Sequence, residues 1–259
     1  MPRFKLTVEF AGTRYSGWQK QKNARTVQGA LEQAIVEATG ESRFECMGSG
    51  RTDAGVHALA QVAHLDLRTT LPPETLRRRL NDELPADIHV LAVDRAAPRF
   101  HARHHAVQRS YVYQVSRRRT AFAKPYVWWV REALDVTRMR EAASCFEGMY
   151  DFRSFSDDDP DEKSTRVLLD RIEVVEAGAL ILVRVAGSHF LWKMVRRLVG
   201  VIVEAGRGGL TTEDVRDFLA VDSPIPARLT APASGLFLEA VRYQGDPELR
   251  APAPAVAVP

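Results

Sequence analysis

Apolar and polar residues alternate with two different periods along the N-terminal part of the chain. Residues 4–10 alternate as in a strand, and a polar, glycine-bearing loop, AGTRYSGWQKQ, follows. Apolar side chains then recur at helical spacing between Thr26, which is placed to cap a helix, and Gly40, which is placed to end it. Two short strands, a helix from Pro73 to about Leu84 and a strand over IHVLAVDRA complete a β-α-β-β-α-β order. This order is ferredoxin-like, with antiparallel pairing.

A second set of elements begins near Arg109. RSYVYQVSR predicts a strand, VTRMREAASCFEG a helix, and residues 168–185 a hairpin over EAGA. FLWKMVRRLVGVIVEAG then predicts a long helix, TTEDVRDFLA a second helix and GLFLEAVRY a final strand. We therefore predict an α+β fold with two similar ferredoxin-like or RRM-like subdomains, residues 1–105 and 106–245. Their antiparallel sheets are expected to abut, with a basic active-site cleft between them.

Two segments fall outside this pattern of strands and helices. SDDDPDEKST, residues 156–165, is too polar to bury and predicts a mobile loop whose role the sequence leaves open. The chain ends in APAPAVAVP, which has low complexity, so residues 246–259 are predicted to form a disordered tail.

The composition is that of a globular protein with a real core. Hydrophobic residues make up 45% of the chain and charged residues 27%. No apolar run approaches the roughly 20 residues that span a bilayer, and the N-terminus enters a strand pattern directly, without a signal-peptide core. The two cysteines, Cys46 and Cys145, lack metal-ligand spacing, as is typical of a reduced protein. We expect a cytoplasmic location and no membrane partner.

Positive charge is clustered, although the net charge is only +3. Arginines occupy residues 77–79 and 117–119, and Arg196 and Arg197 form a further pair. The arginine guanidinium forms bidentate hydrogen bonds with phosphate and stacks on bases, so the clusters suit a polyanionic partner. Each run is equally compatible with a solvated face of the protein.

The segment GSGRTDAGVHA carries the most distinctive chemistry. Its three glycines within eight positions indicate unusual backbone dihedrals or a close ligand approach. Their spacing fits neither a dinucleotide fingerprint nor a phosphate-binding loop. The loop offers one arginine, Arg51, and one carboxylate, Asp53. Two readings remain open on this basis, a structural turn in which Asp53 bonds its own backbone and a catalytic loop.

The motif GRTDAGVHA closely resembles the signature of the tRNA pseudouridine synthases that modify positions 38 to 40 of the anticodon stem-loop. The resemblance recurs in the family's order through YSGWQKQ, TVQGALEQAI, FHARHHAVQRSYVY, DFRSF, FLWKMVRRLVG and APASGLFLEAV, over about residues 4 to 243. It implies an isomerase that converts uridine to pseudouridine with a catalytic aspartate and no cofactor. It also implies a homodimer in which one tRNA touches both subunits.

Carried over residue by residue, the resemblance assigns three catalytic positions. Asp53 matches the catalytic aspartate, and Arg196 of the MVR motif matches the arginine that keeps this carboxylate ionised. Tyr111 matches the tyrosine that stacks on the target base, which needs a π-surface once it leaves its neighbours. Tyr113 lies on the same strand face by period two and is interpreted as a core residue.

Four further residues are expected to bind the substrate. Arg51 resembles an arginine that helps to extrude the base, although a phosphate contact is a less specific alternative. Leu236 is expected to wall the uracil pocket, with a plain core leucine as the alternative, and His101 and Arg103 are expected to shape the RNA groove. The spacing HARHH lacks helical context and further ligands, so we predict no metal site.

The chemistry of isomerisation fits a single carboxylate. The reaction breaks the C1′–N1 bond, turns the uracil and rejoins it through C5, and a carboxylate can attack the sugar or base or remove the C2′ proton. Nothing is oxidised, so no metal or redox cofactor is required.

Two other functions fit some of the same residues. An RNA chaperone without catalytic activity would not need Asp53, and a nucleoside hydrolase would release free uracil but usually needs a second carboxylate or a metal-bound water. The sequence leaves open which of the three uridines and which tRNAs are preferred.

Overall fold

The computed structural model describes residues 1–162 and 164–258 and shows a mixed α+β protein. Lys163 of the predicted acidic loop and Pro259 of the predicted tail lie outside the described residues. The chain divides into two compact units. Unit 1 comprises Met1–Val107 and Leu238–Asp246, and unit 2 comprises Gln108–Phe237 and the segment from Pro247 onward. Within the described ranges, no helix is long and apolar enough to cross a membrane.

Unit 1 begins with the element order predicted from the sequence. Its elements are β1 (Arg3–Phe10), α1 (Val27–Thr39), β2 (Phe44–Gly48), β3 (His57–Leu67), α2 (Pro73–Glu83) and β4 (Ile88–Ala96). β1 lies between β3 and β4 and is antiparallel to both, with Leu6 opposite Ala63 on one side and Val93 on the other. β2 is antiparallel to β3. The predicted β-α-β-β-α-β order is therefore confirmed for this part of the chain.

The ends of α1 show why local sequence signals were sufficient here. The Thr26 hydroxyl accepts a hydrogen bond from Gly29 N at 3.3 Å, which satisfies one of the unpaired donors of the first turn. Gly40 has a φ of 72° and its N–H donates to Val36 O at 2.8 Å, which ends the helix. Both the predicted cap and the predicted stop are confirmed.

Unit 2 contains most of the remaining elements, the first of which begins at Ala106, two residues before the unit does. They are β5 (Ala106–Ser116), β6 (Trp128–Trp129), α3 (Val136–Ser144), β7 (Gly148–Asp151), β8 (Arg166–Ala177), β9 (Leu180–Gly187), α4 (Met194–Arg207), α5 (Thr212–Ala220) and α6 (Ile225–Arg228). Its strands run in the order β5-β9-β8-β7, and β6 pairs with β5 in parallel. The predicted β8–β9 hairpin is confirmed, with Gly178 in a left-handed conformation at its turn. β10 (Leu236–Tyr243) follows, and it pairs with β3 in unit 1, to which its residues from Leu238 onward belong.

The long helix of unit 2 begins four residues later than the sequence pattern predicts. The apolar spacing suggests a start at Phe190, but α4 starts at Met194 because Lys193 has a left-handed φ of 63°. Such a conformation is uncommon for a residue with a side chain and must be compensated nearby. The carboxylate of Asp158 does this in part, since it accepts a hydrogen bond from Trp192 N at 2.9 Å.

The C-terminal segment packs on unit 2, which differs from the disordered tail predicted from its composition. The side-chain oxygen of Gln114 accepts hydrogen bonds from Ala255 N at 2.7 Å and Val256 N at 3.2 Å. Arg184 donates to Arg250 O at 2.6 Å. Gln114 and Arg184 are buried in the sheet and need polar partners, which the backbone of this proline-rich segment supplies.

Candidate active site

The motif GRTDAGVHA forms the connection between β2 and β3. The Asp53 carbonyl accepts a hydrogen bond from Val56 N at 3.2 Å, which closes a tight turn with Gly55 in a left-handed conformation. Thr52 is buried, whereas Asp53 is partly exposed and Arg51 is exposed. The loop therefore buries its threonine and leaves the two predicted functional side chains accessible to solvent.

A second loop, the supporting loop of residues 11–18, fixes the backbone on both sides of Asp53. Trp18 N donates to Thr52 O and Gly55 N donates to Tyr15 O, each at 3.2 Å. These bonds bracket the aspartate, so its backbone is fixed by contacts with another segment of the chain.

Two glycines allow the supporting loop to come this close. A Cβ atom on Gly12 would lie 1.9 Å from Val56 O, and one on Gly17 would lie 2.4 Å from Thr52 O. Gly17 also has a φ of +90°, which strains any other residue. Gly12, and Gly17 of the YSG motif, are thus required by the geometry of the Asp53 loop.

Tyr15 anchors the supporting loop through its side chain. Its hydroxyl donates to Asp87 at 2.5 Å and accepts from Arg25 at 3.0 Å, and the Arg25 guanidinium also lies 4.6 Å from the ring centroid. Burial and the hydrogen bond to Asp87 raise the pKa of Tyr15 to about 12. Tyr15 is therefore a neutral hydrogen-bond donor at physiological pH.

The turn that carries His101 and Arg103 is built on imidazole acceptors. His101 Nδ1 accepts hydrogen bonds from Arg103 N at 3.2 Å and His104 N at 3.3 Å, and His105 Nδ1 accepts from His101 N at 3.3 Å. The buried His64 of β3 accepts from Ala102 N at 3.2 Å in the same way. Each of these bonds uses Nδ1 as the acceptor, so that atom carries no hydrogen in the bond.

The electrostatic environment favours the neutral form of two of these rings, His64 and His101. Burial, the Arg3 charge and the neighbouring His101 lower the pKa of His64 below its ordinary value. Burial, His104 and Arg3 likewise lower the pKa of His101. Among the described residues, no group of three or more histidine, cysteine, aspartate or glutamate side chains is arranged to hold a metal ion.

The two tyrosines of β5 have different surroundings. Tyr113 is fully buried, its hydroxyl donates to Pro232 O at 2.8 Å, and burial raises its pKa far above the ordinary value. Tyr111 is partly exposed, and its ring meets Phe190 edge to face at a centroid distance of 5.1 Å. Tyr113 is thus a core residue, and Tyr111 keeps ring surface accessible. The contact with Phe190 was not predicted from the sequence.

The adjacent arginines of α4 also differ. Arg196 is partly exposed, and its Nε donates to Ala231 O at 2.7 Å, which orients the guanidinium. Arg197 is buried and forms a short ion pair with Asp157. Leu236, at the start of β10, is 4% exposed.

The start of the acidic segment packs against the start of α4. The carboxylate of Asp157 binds Lys193 Nζ at 2.6 Å in addition to Arg197. Burial raises the pKa of Asp157, but the hydrogen bond from Lys193 and the Arg197 charge outweigh it and hold the pKa below its usual range. The sequence did not predict this pairing, because the residues are far apart in the chain.

The basic runs are partly neutralised. Arg77 pairs with Glu74 at 2.7 Å, and residues 77–79 line an open depression of about 540 Å³ together with His89. Arg117 pairs with Glu176 at 2.9 Å, whereas the Arg119 guanidinium lies 5.8 Å from the centroid of the Trp129 ring. Residues 77–79 therefore line a depression, whereas in the run 117–119 Arg119 lies beside an aromatic side chain.

Comparison with known proteins decides the family. The model described as tRNA pseudouridine synthase matches residues 6–105 and 142–244, which is more than half of the chain. The chain belongs to the tRNA pseudouridine synthase family. It is accordingly an isomerase of the kind that converts uridine to pseudouridine in tRNA. The matched ranges include Asp53 and Arg196, and Tyr111 lies between them.

Curated relatives match along nearly the whole chain. The proteins named tRNA pseudouridine synthase A from Rhodopseudomonas palustris and Agrobacterium fabrum are each 42% identical to it over 94% of this chain, and over 100% and 93% of their own lengths. A protein of the same name from Pseudothermotoga lettingae is 39% identical over 94% of this chain and 100% of its own length.

Similarity to solved structures is weaker. The archaeal box H/ACA sRNP Nop10-Cbf5 complex covers 88% of this chain and 58% of the matched chain at 13% identity, with a TM-score of 0.39. A similarity of this size adds nothing to the assignment.

Proposed function

We propose that this enzyme isomerises uridines at positions 38 to 40 of the tRNA anticodon stem-loop, with Asp53 as its catalytic carboxylate and without a cofactor. The observation that carries the proposal is the double support of the backbone on both sides of Asp53, where Trp18 binds Thr52 and Tyr15 binds Gly55. A catalytic side chain must be fixed before the substrate arrives, because positioning supplies much of the rate. A plain surface turn has no need of two glycines packed against its backbone.

The reaction requires one carboxylate and an exchange of protons. The C1′–N1 bond breaks, the freed uracil turns, and C1′ bonds to C5, after which C5 loses its proton to solvent and N1 carries a proton in the product. Asp53 acts either as a nucleophile on the sugar or base or as the base that removes the C2′ proton. Both routes need the carboxylate ionised.

Arg196 is proposed to provide the positive charge that keeps the Asp53 carboxylate ionised. Its hydrogen bond to Ala231 O fixes the orientation of the guanidinium. Tyr111 is proposed to stack on the flipped uracil, and Leu236 to form an apolar wall of the pocket. Contact with Phe190 restricts the ring of Tyr111, which lowers the entropy cost of stacking.

Arg51, His101 and Arg103 are proposed to contact the RNA. Arg51 is exposed two residues before Asp53, which suits an arginine that enters the space left by an extruded base. The backbone of Arg103 is held by its hydrogen bond to His101 Nδ1, and its side chain is exposed.

We further propose that the enzyme acts in the cytoplasm as a homodimer, and that one tRNA touches both subunits. The abutting sheets and the basic cleft between two subdomains also belong to this proposal. A variant forced to be monomeric should bind tRNA weakly, and full-strength binding by the monomer would contradict the dimer.

The modified positions in the tRNA and the roles of the proposed catalytic residues can be tested in one experiment. Unmodified tRNA transcripts are incubated with the wild type, Tyr111→Phe, Arg196→Lys and Asp53→Asn, and pseudouridine is mapped by carbodiimide labelling and primer extension. The proposal predicts stops at positions 38 to 40 with the wild type, none with Asp53→Asn and weaker stops with Arg196→Lys. Tyr111→Phe keeps the stacking ring and should retain most of the product. Stops elsewhere in the tRNA would refute the proposed position, and free uracil as the product would indicate a hydrolase.

A further inference from the structure

The connection between β5 and β6 combines aromatic and basic residues at the surface of unit 2. Residues 117–131, which span this connection, β6 and the two residues after it, include five basic side chains and no carboxylate. Phe122, in the middle of this connection, is 97% exposed. A single exposed apolar residue is ordinary, but a fully exposed phenylalanine within a run of basic residues is a common arrangement in proteins that bind single-stranded nucleic acid.

The connection is anchored on the side that follows Phe122. Ala123 and Val127 are buried, Gln114 donates to Tyr126 O at 2.9 Å, and Ser234 donates to Val127 O at 3.2 Å. Phe122 is therefore exposed at a fixed point of the chain, next to a buried alanine. Preorganisation of this kind lowers the cost of placing a ring against a ligand.

Arg119 is positioned by an aromatic ring. Its guanidinium lies 5.8 Å from the centroid of Trp129, which is 41% exposed at the end of β6. A guanidinium in a cation–π contact with a ring still has N–H donors that can form hydrogen bonds with a phosphate. Lys124, two residues after Phe122, is also exposed and adds a second cation.

We propose that Phe122, Arg119 and Lys124 form a second RNA contact of this enzyme, distinct from the predicted active-site residues. Phe122 stacks on an unpaired nucleotide of the substrate tRNA, and Arg119 and Lys124 bind phosphates next to it. An exposed side chain can stack only on a base with an open face, so the ligand is a loop or end nucleotide and not a base-paired stem. The proposal rests on the proposed function, since tRNA is its ligand.

A second copy of this chain is the main competing occupant. Charge argues against it, because a copy presents the same basic residues, of which Arg117 is paired with Glu176, and like charges at an interface cost several kcal/mol unless they are paired. A polyanion is complementary to this surface and releases counterions when it binds.

The test uses two substitutions that separate stacking from apolar contact. Phe122→Leu keeps the apolar volume but removes the π-face, whereas Phe122→Trp keeps the π-face. Dissociation constants for a fluorescently labelled tRNA transcript are measured by anisotropy at several salt concentrations. We expect Phe122→Leu to bind roughly 5- to 150-fold more weakly and Phe122→Trp to bind within about threefold of the wild type. Arg119→Gln and Lys124→Gln should each reduce the slope of log K against log salt by about 1.

Tyr150→Leu is the matched control, because it removes another partly exposed aromatic ring from unit 2. It should leave the dissociation constant unchanged. Loss of binding in Tyr150→Leu equal to that in Phe122→Leu would overturn the proposal, as would equal binding by Phe122→Leu and the wild type. A change in oligomeric state with Phe122→Leu at unchanged tRNA affinity would also overturn it and would indicate an interface between copies.

The same samples are assayed for tritium release from tRNA labelled at uridine C5, so that failure of the inference is distinguishable from failure of the proposed function. Release by the wild type together with unaltered binding of Phe122→Leu refutes only the second contact. No release by the wild type refutes the proposed function, whatever Phe122 does. If the proposed function and the second RNA contact are both correct, Phe122→Leu should raise KM and leave kcat close to that of the wild type.

Discussion

Gly17 lies directly against the carbonyl of Thr52, the residue that precedes Asp53. A Cβ atom on Gly17 would fall 2.4 Å from Thr52 O, well inside van der Waals contact. The adjacent Trp18 N donates to the same carbonyl oxygen at 3.2 Å. The position of the proposed catalytic carboxylate therefore depends on a glycine in a different loop.

Replacing this glycine should disturb the Asp53 loop. Gly17→Ala must relieve both the steric overlap and a φ of +90°, so we expect the free energy of unfolding to fall by about 2 kcal/mol or more. Isomerase activity should also fall, even at temperatures where the variant stays folded, because the Asp53 backbone moves. Chemical denaturation and activity at a temperature where the variant is folded measure the two effects.

Gly50→Ala is the control within the same motif. An added Cβ there meets nothing within 4 Å, and its φ is not in the left-handed region. Its unfolding free energy should match that of the wild type. Wild-type stability and activity in Gly17→Ala would show that the supporting loop does not fix Asp53.

The pairing of Asp157 with Arg197 and Lys193 should stabilise the start of α4. Asp157→Asn leaves the buried Arg197 without its carboxylate, and losing one partner of a buried pair costs about 3–5 kcal/mol. The Asp157 side chain is 30% exposed, so solvent screening reduces the expected loss to about 1–3 kcal/mol. Urea denaturation of Asp157→Asn measures this loss.

Asp161→Asn makes the same change in charge at an exposed residue of the same acidic segment. It should be neutral within about 0.5 kcal/mol. Equal destabilisation by both variants would mean that net charge, and not the contact with Arg197, is responsible.

These residues also show what local sequence patterns can and cannot predict. The ends of α1 were predictable because Thr26 and Gly40 act on their own helix. The start of α4 was not, because it depends on Asp158, which binds Trp192 N across 34 positions of the chain. The packed C-terminal segment was missed for the same reason, since its partner Gln114 is 141 positions away from Ala255.

The candidate site divides in a similar way. The motif around Asp53 was evident in the sequence, and resemblance to the family supplied the proposed roles of Arg196 and Tyr111. The different environments of Arg196 and Arg197 were not evident, because adjacent arginines on a helix look equivalent until the helix is packed. Phe122 was not singled out either, because the exposure of a loop phenylalanine depends on what its neighbours bury.

The histidine turn should make stability dependent on pH. The pKa of His64 is lowered in the folded protein, so its contribution to stability is complete above its ordinary pKa of 6.5 and is lost as the pH falls below that value toward the lowered pKa. We expect the free energy of unfolding to decrease between about pH 7.5 and about pH 5.5. His64→Asn keeps an acceptor for Ala102 N without titrating, so its decrease should be smaller. An equal decrease in both proteins would exclude His64 as a cause.

The two cysteines should differ in reactivity. Burial and the Glu32 charge raise the pKa of Cys46 to about 12, whereas Cys145 is partly exposed. Because the thiolate is the reactive form, iodoacetamide at about pH 8 should alkylate Cys145 in the native protein and Cys46 only after unfolding. Peptide mass spectrometry distinguishes the two sites. Rapid alkylation of Cys46 in the native state would contradict the packing around β2.

The central claim, that Asp53 is the catalytic carboxylate of a uridine isomerase, is tested most directly by tritium release from tRNA labelled at uridine C5. The wild type should release tritium, and Asp53→Asn should release none while it binds tRNA with similar affinity. Release that is unaffected by Asp53→Asn, or no release by the wild type from any tRNA offered, would contradict the claim.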